Sequence, residues 1–296
     1  MRYFLQINKG EEIMSTVDNF LKIISSNMDQ EGGNFSSQQL MGISLNGVKL
    51  VNTIFDDTDF EFSELIEINF SNSKLKNVSF HKAKLKDVDF SGAQLQGVNF
   101  QEALLVNCNF KNASLENGTL NSATLKNCDL RGSNLNHANL SSAKLIKCDL
   151  SFARLMYGYL RKIEISDSQL KGINLRGSDL SFCKIQGTDF SGSVLKYTDL
   201  NSCTFKKVNL SNANLVGAEM KDAHCQEITM KEANMEGVDL TYANLEGSNL
   251  QNAFLLEANL HGANLTNANL KDAYFVDANI SKANTTGANL ENTILQ

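Results

Sequence analysis

Cys108, Cys128 and Cys148 stand twenty residues apart, and Cys183 and Cys203 repeat the interval. Four acids, Asp179, Asp199, Glu219 and Asp239, keep the same spacing. Thiols and carboxylates in register are raw material for redox, metal or acid–base chemistry. Each use makes a demand that this chain does not meet. A zinc site asks for Cys-x-x-Cys pairs or neighbouring His ligands, and neither accompanies these cysteines. The four histidines, His81, His137, His224 and His261, are far apart along the chain, with no nucleophile–base pairing around them. No Gly-x-Gly-x-x-Gly or phosphate-loop motif occurs. The cysteines read as small buried core residues, reduced because no secretory signal precedes them. Oxidation between neighbouring thiols would strain a packed core. No catalytic, cofactor or metal site is expected, and the chain reads as a non-enzyme.

The interval of twenty belongs to a finer beat of five. Counting from Leu45 to Leu295, a large apolar residue occupies every multiple of five; of these 51 centres only Cys225 and Thr285 depart from Leu, Ile, Phe or Met. Two residues before each centre stands a second regular position, often Ala, as at Ala103, Ala123, Ala143 and every such position from Ala253 to Ala288, and elsewhere mostly Ser, Thr, Cys, Gly, Val or Ile. The other three positions are mostly Asn, Asp, Lys, Ser, Gly and Glu. Five is the period of neither an α-helix nor a flat strand. Two inward and three outward residues per unit describe very short strands joined by tight turns, which Asn, Asp, Ser and Gly suit. The absence of Pro fits a backbone whose N–H groups are all needed for a ladder.

Segments such as ANLHG, ANLTN, ANLKD, ANLSS and VDLTY carry a resemblance to the pentapeptide-repeat family, over about residues 35–296. The resemblance implies an all-β fold, a right-handed quadrilateral parallel β-helix with one pentapeptide per side. Residues twenty apart then stack in successive coils. About 13 coils at roughly 4.8 Å each would make a rod roughly 60 Å long. Phe60, Phe80 and Phe100 should form one inner column, and Phe70, Phe90 and Phe110 another opposite it.

Sorted by this period, three outward features emerge. Phe254, Tyr274 and Ile294 stack before their centres, with Leu256 and Val276 after them and Val216 preceding. Such a patch, on a chain ending in TILQ with no capping segment, suits a partner surface. Family members often dimerise through their C-terminal ends, so a homodimer there is the leading reading; a different protein, or an idle patch, remains open. The acidic column Asp179, Asp199, Glu219 and Asp239 is the second feature. It reads as an outcome of Asp and Asn being common before the centre, or as DNA mimicry of the kind attributed to gyrase-protecting members. The third is a basic face placed between those two, with Lys84, Lys86, Lys126, Lys144, Lys147, Lys184, Lys206 and Lys207 and interleaved Leu104, Val106 and Ile146. It reads as a solvated face, or as one suited to an acidic protein or a lipid headgroup.

Residues 1–34 lie outside the repeat and read as an N-terminal cap. RYFLQI suits a short strand. An amphipathic helix is expected over 15–28, with Val17, Phe20, Leu21, Ile24 and Met28 on one stripe, Ser15 and Asp18 as a capping box, and residues 31–33 ending it. Met14 is a second candidate start. The net charge of −6 argues against direct nucleic-acid binding, and no apolar run is long enough to span a membrane. The chain therefore reads as cytoplasmic, with delivery by a specialised secretion system left open. The favoured function is a non-catalytic protein-interaction scaffold: a regulator or a delivered bacterial effector. The alternative is a DNA-mimicking gyrase modulator, although the loops that interrupt many resistance members are missing here.

Overall fold

The computed structural model describes residues 11–294, with side chains from residue 16 onward. The chain divides into two compact units, Met1–Asp149 and Leu150–Gln296. The first contains helix α1 (Glu11–Ser26) and strands β1 (Ser44–Asn46), β2 (Glu64–Ile66), β3 (Lys84–Lys86), β4 (Leu104–Val106), β5 (Thr124–Lys126) and β6 (Lys144–Ile146). The second contains β7 (Glu164–Ser166), β8 (Lys184–Gln186) and β9 (Thr204–Lys206). Within each unit neighbouring strands pair in parallel in a register of twenty residues, as Leu85 does with Leu105 and Ile165 with Ile185. Single bridges carry the same register on the other sides, from Asp29↔Lys49 in the first unit to Tyr274↔Ile294 in the second. The fold is an all-parallel β-solenoid with four five-residue sides per coil, as the family resemblance implied.

Local chemistry explains the beat. After the centre the chain turns, and the second residue of the turn takes a left-handed φ between 51° and 61°, as at Asn107, Asn127 and Phe152. That region tolerates Asn, Asp and Gly best, and it recurs at Gly92, Gly97 and Gly132. The turn closes with an N–H donated to the carbonyl three residues back, for example Ala83 to Phe80 at 3.0 Å and Ala93 to Phe90 at 3.0 Å. Asn or Asp before the centre then accepts the N–H two residues on, as Asp89 does from Ser91 at 2.9 Å and Asn99 from Gln101 at 2.9 Å. Between coils these side chains also bond one another, as Asn109 donates to Asp89 at 3.0 Å. The polar position of the repeat is therefore a turn-fixing position.

The expected phenylalanine columns are present. Phe60 stacks on Phe80 with ring centroids 5.3 Å apart, and Phe80 on Phe100 at 5.0 Å. Phe70, Phe90 and Phe110 repeat this at 5.4 and 4.9 Å, and the two columns meet edge to face.

At the N-terminal end the structure revises the expected boundaries. Helix α1 runs Glu11–Ser26 rather than over 15–28, so Ser15 lies inside it and is not its cap. The helix stops before the glycines because the ladder begins sooner: Lys49 donates its N–H to Met28 at 2.9 Å, and Asp29 bridges Lys49. Gly32, with φ +73°, belongs to the first solenoid corner, so the repeat starts near residue 29 and not 35. Val17, Phe20 and Ile24 are buried, whereas Leu21 and Met28 are only half-buried. Phe20 sets its ring edge against Phe35 at 5.3 Å, so the helix closes over the first coil. The strand expected in RYFLQI lies outside the described residues.

Candidate functional sites on the solenoid sides

The apolar column of the second unit forms as expected. Phe254 bridges Tyr274 and Tyr274 bridges Ile294, and the two rings lie 5.9 Å apart. Phe254 is 56% and Ile294 51% exposed. Leu256 and Val276 lie half-buried on the same side, two residues on. Val216 does not join them, because the intervening coil places exposed Glu236 in that position. Beside the column the structure adds something the repeat count hid. Ile280 and Leu290 were counted as inward centres, yet each is 42% exposed, because no coil among the described residues covers them.

The acidic column is also real: Asp179, Asp199, Glu219 and Asp239 bridge in succession. Its oxygens are employed locally, however. Asp179 accepts the Ser181 N–H at 2.9 Å, Asp199 the Asn201 N–H at 2.9 Å, and Asp239 the Thr241 N–H at 3.0 Å. Glu219 receives the Asn201 side-chain amide at 2.9 Å. Burial, then the neighbouring Asp179 and Glu219 charges, hold the Asp199 carboxyl above its ordinary value. Burial also opposes the charged form of Asp239, but Thr241 and Lys221 outweigh it and the net shift is downward.

The lysines separate into two groups. In the first unit Lys84 and Lys86 lie on β3, Lys126 on β5, Lys144 on β6 and Lys147 at the following corner, all exposed. In the second unit Lys184 on β8 faces Glu164 on β7 at 3.8 Å, while Lys206 and Lys207 follow on and just after β9. The basic side does not stand between the other two. Within a coil the chain visits the apolar side at 174–176 and the acidic side at 179–181 before returning to the basic side at 184–186, so the acidic side adjoins both.

Sequence reasoning missed a set of aromatic corner residues. Phe152, Tyr157, Tyr197 and Tyr242 occupy left-handed corner positions and remain exposed. Each precedes by twenty residues a glycine whose missing Cβ makes room for the ring: Gly172, Gly177, Gly217 and Gly262. The signal was in the chain, an aromatic two residues after a centre and a glycine one coil on.

Inside, Cys108, Cys128 and Cys148 are buried, and each thiol points at a carbonyl of the preceding coil, from 3.5 Å at Cys148 to 3.7 Å at Cys108. The hydrogen bond that the Cys128 thiol makes to Cys108 is the main force pushing it up to about 12, and Cys128 in turn raises Cys148. Cys183 and Cys203, expected as reduced thiols, are joined in a disulfide across adjacent coils, with Cα atoms 4.7 Å apart. That approach is what a parallel ladder imposes on identical positions, so the bridge needs no backbone displacement. Among the described residues no three His, Cys, Asp or Glu side chains converge as metal ligands. His81 bonds the Gln101 carbonyl at 3.1 Å and His261 the Ser281 hydroxyl at 2.7 Å, each on the surface.

One of the thiols carries a pH prediction. Cys225 takes a centre position, and burial pushes its thiol up to about 12 from an ordinary 9.0. Below pH 9 the thiol is protonated in both folded and unfolded chains, and its contribution is whole. Between 9 and 12 the unfolded chain ionises first, so stability falls as pH rises. In urea unfolding from about pH 9.5 to 11, wild type should lose about 1.4 kcal/mol per pH unit more than Cys225→Ala. Parallel pH profiles would show that this thiol is not protected.

The chain matches the model of a pentapeptide repeat region over residues 43–120. It matches the model of pentapeptide repeats, a block of 8 copies, over 123–156, 159–196, 183–222, 218–255 and 258–296. No curated protein matches. Among solved structures, HetL, a pentapeptide repeat protein involved in heterocyst differentiation regulation in the cyanobacterium Nostoc sp. strain PCC 7120, shares 24% identity. That alignment covers 92% of this chain and 96% of HetL, with a TM-score of 0.33. A pentapeptide repeat protein of the Arabidopsis thaliana thylakoid lumen shares 27% identity over 38% of this chain and 68% of its own, at a TM-score of 0.25. QnrB1, a plasmid-mediated fluoroquinolone resistance protein, shares 19% identity over 83% of this chain and 92% of its own, at a TM-score of 0.25.

Proposed function

The chain belongs to the pentapeptide-repeat family, and we propose that it acts as a non-catalytic protein-interaction scaffold that pairs with a second copy of itself through the apolar column of its second unit. The observation that carries this reading is the unbroken run Phe254, Tyr274 and Ile294, flanked by Leu256 and Val276. Elsewhere the outward positions of these sides are mostly polar, and two aromatic rings side by side with aliphatics are the composition of an interface centre. Exposed Ile280 and Leu290 extend the apolar surface. No described helix is long and apolar enough to cross a membrane, so a lipid-spanning helix does not account for this surface.

Sedimentation equilibrium tests the reading. Wild type should dimerise, and Phe254→Asp/Tyr274→Asp should weaken the association by more than about 1000-fold, because one protomer's two anchors are worth roughly 2 kcal/mol each and both protomers lose theirs. Both rings point outward, so the circular dichroism spectrum should not change. A monomeric wild type, or a variant that still dimerises, removes the proposal. A gyrase modulator that mimics DNA is the alternative, supported by the continuity of the acidic column. Loss of supercoiling inhibition or protection on Asp199→Asn/Glu219→Gln would favour it, and an inert wild type would dispose of it.

A further inference from the structure

On the first unit, β3 to β6 set two outward columns side by side: Lys84, Leu104, Thr124 and Lys144 in one, Lys86, Val106, Lys126 and Ile146 in the other. The β4 rung is wholly aliphatic, with Leu104 exposed and Val106 half-buried, and lysines flank it on both neighbouring rungs. Neither Lys84 nor Lys126 forms an ion pair among the described residues, and Lys86 reaches only Asp87, at 3.8 Å. The outward positions of these four strands carry no acidic residue; the strip is bounded at one end by Glu64 on β2, which stands opposite Lys84. We infer that this strip is a docking site for an acidic protein segment whose carboxylates bracket an aliphatic residue. The inference rests on the scaffold reading but uses a different surface from the self-association column.

Charge and shape together select this occupant. Adjacent rungs are about 4.8 Å apart, so Lys86 and Lys126 stand roughly 10 Å apart across Val106. An acid, an apolar residue and a second acid along one edge of a polypeptide match that order. Two broad polyanions fit worse. The corners beside the strip carry Glu67 and Asp87 on one edge and Glu102 on the other, the last paired with Lys82 at 3.6 Å. A flat anionic membrane or a duplex meets these corner acids first, whereas a narrow segment lies between them. The strip also lacks the arginines that dominate phosphate recognition.

Fluorescence anisotropy with the full chain tests this. The probe is a labelled peptide carrying Glu-Glu-Leu-Leu-Glu-Glu, at about 10 mM salt where charges act over roughly 30 Å. Wild type should bind it. Lys84→Glu/Lys126→Glu should bind about tenfold more weakly, the scale of losing two exposed pairs. Leu104→Ser should also weaken binding, and a peptide with Ser-Ser in place of Leu-Leu should bind several-fold less. All of these residues point outward, so an unchanged dichroism spectrum keeps the comparison valid. Equal binding by wild type and the double variant overturns the site. So does equal binding of the Ser-Ser peptide, or binding of phosphatidylserine vesicles or a DNA duplex without the peptide. Sedimentation on the same samples reports self-association separately, so failure of this site and failure of the scaffold dimer are distinguishable.

Discussion

Replacing Phe90 by Ala should lower the stability of the first unit by about 3–5 kcal/mol, the cost of removing a fully enclosed ring. Phe90 stacks against Phe70 at 5.4 Å and Phe110 at 4.9 Å, and meets Phe80 and Phe100 edge to face at 5.8 and 6.0 Å. Each such contact adds about 0.5–1.5 kcal/mol beyond area. The hole cannot close readily, because the backbone is held on both sides. Phe90 donates its N–H to Asn109 of the next coil at 2.7 Å, and neighbouring Asp89 donates to Ile68 of the preceding coil at 2.9 Å. At this size of unit the midpoint of thermal unfolding should fall by roughly 10 °C. Phe62 supplies the control, since it sits at a corner, 53% exposed. Phe62→Ala should stay within about 0.5 kcal/mol. Similar losses for both variants would mean that the inner columns are not the core of the unit.

Gly262→Val should cost about 1–3 kcal/mol, for two separable reasons. The residue has φ +67°, which β-branched side chains resist, and a Cβ there would come within 2.5 Å of the Tyr242 ring. Gly192 has a similar φ of +65° but no atom within 4 Å of the Cβ position. Gly192→Asn should therefore be nearly neutral, within about 0.5 kcal/mol, because Asn tolerates the left-handed region. A double-mutant cycle divides the Gly262 cost. In a Tyr242→Ala background the ring clash is gone and only the backbone share should remain. If Gly262→Val costs as much there as in wild type, the ring does not require the glycine.

Much of this architecture is legible without coordinates, and the reason is periodicity. A four-sided coil makes every residue repeat its environment twenty positions later. With the four sides that the family resemblance implied, the inner phenylalanine columns, the acidic column and the Phe254–Tyr274–Ile294 run could thus be placed by counting. What counting could not supply concerns how neighbouring side chains meet and where the pattern starts and stops. The limit of helix α1 is set by Asp29 finding a ladder partner in Lys49, a contact that hydrophobic pattern does not announce. Five cysteines share one inward position, yet Cys183 and Cys203 bridge while Cys108, Cys128 and Cys148 remain thiols. The aromatic corners and their glycines form pairs only because a ring lies flat over the next coil.

The partner surfaces divide in the same way. The order of residues around a coil is a property of the chain, and it places lysines, carboxylates and aliphatics on separate sides. Whether a side is a continuous surface depends on which charges pair across rungs. Lys184 pairs with Glu164 at 3.8 Å, whereas among the described residues neither Lys84, although it stands opposite Glu64, nor Lys126 forms an ion pair. Exposure of Ile280 and Leu290 likewise reflects that no coil among the described residues covers them, not their residue type. Side-chain direction is local and repeats with the backbone, so composition and counting reveal it. Pairing and solvent contact are relations between segments twenty residues apart, and they exist only once the coils are stacked.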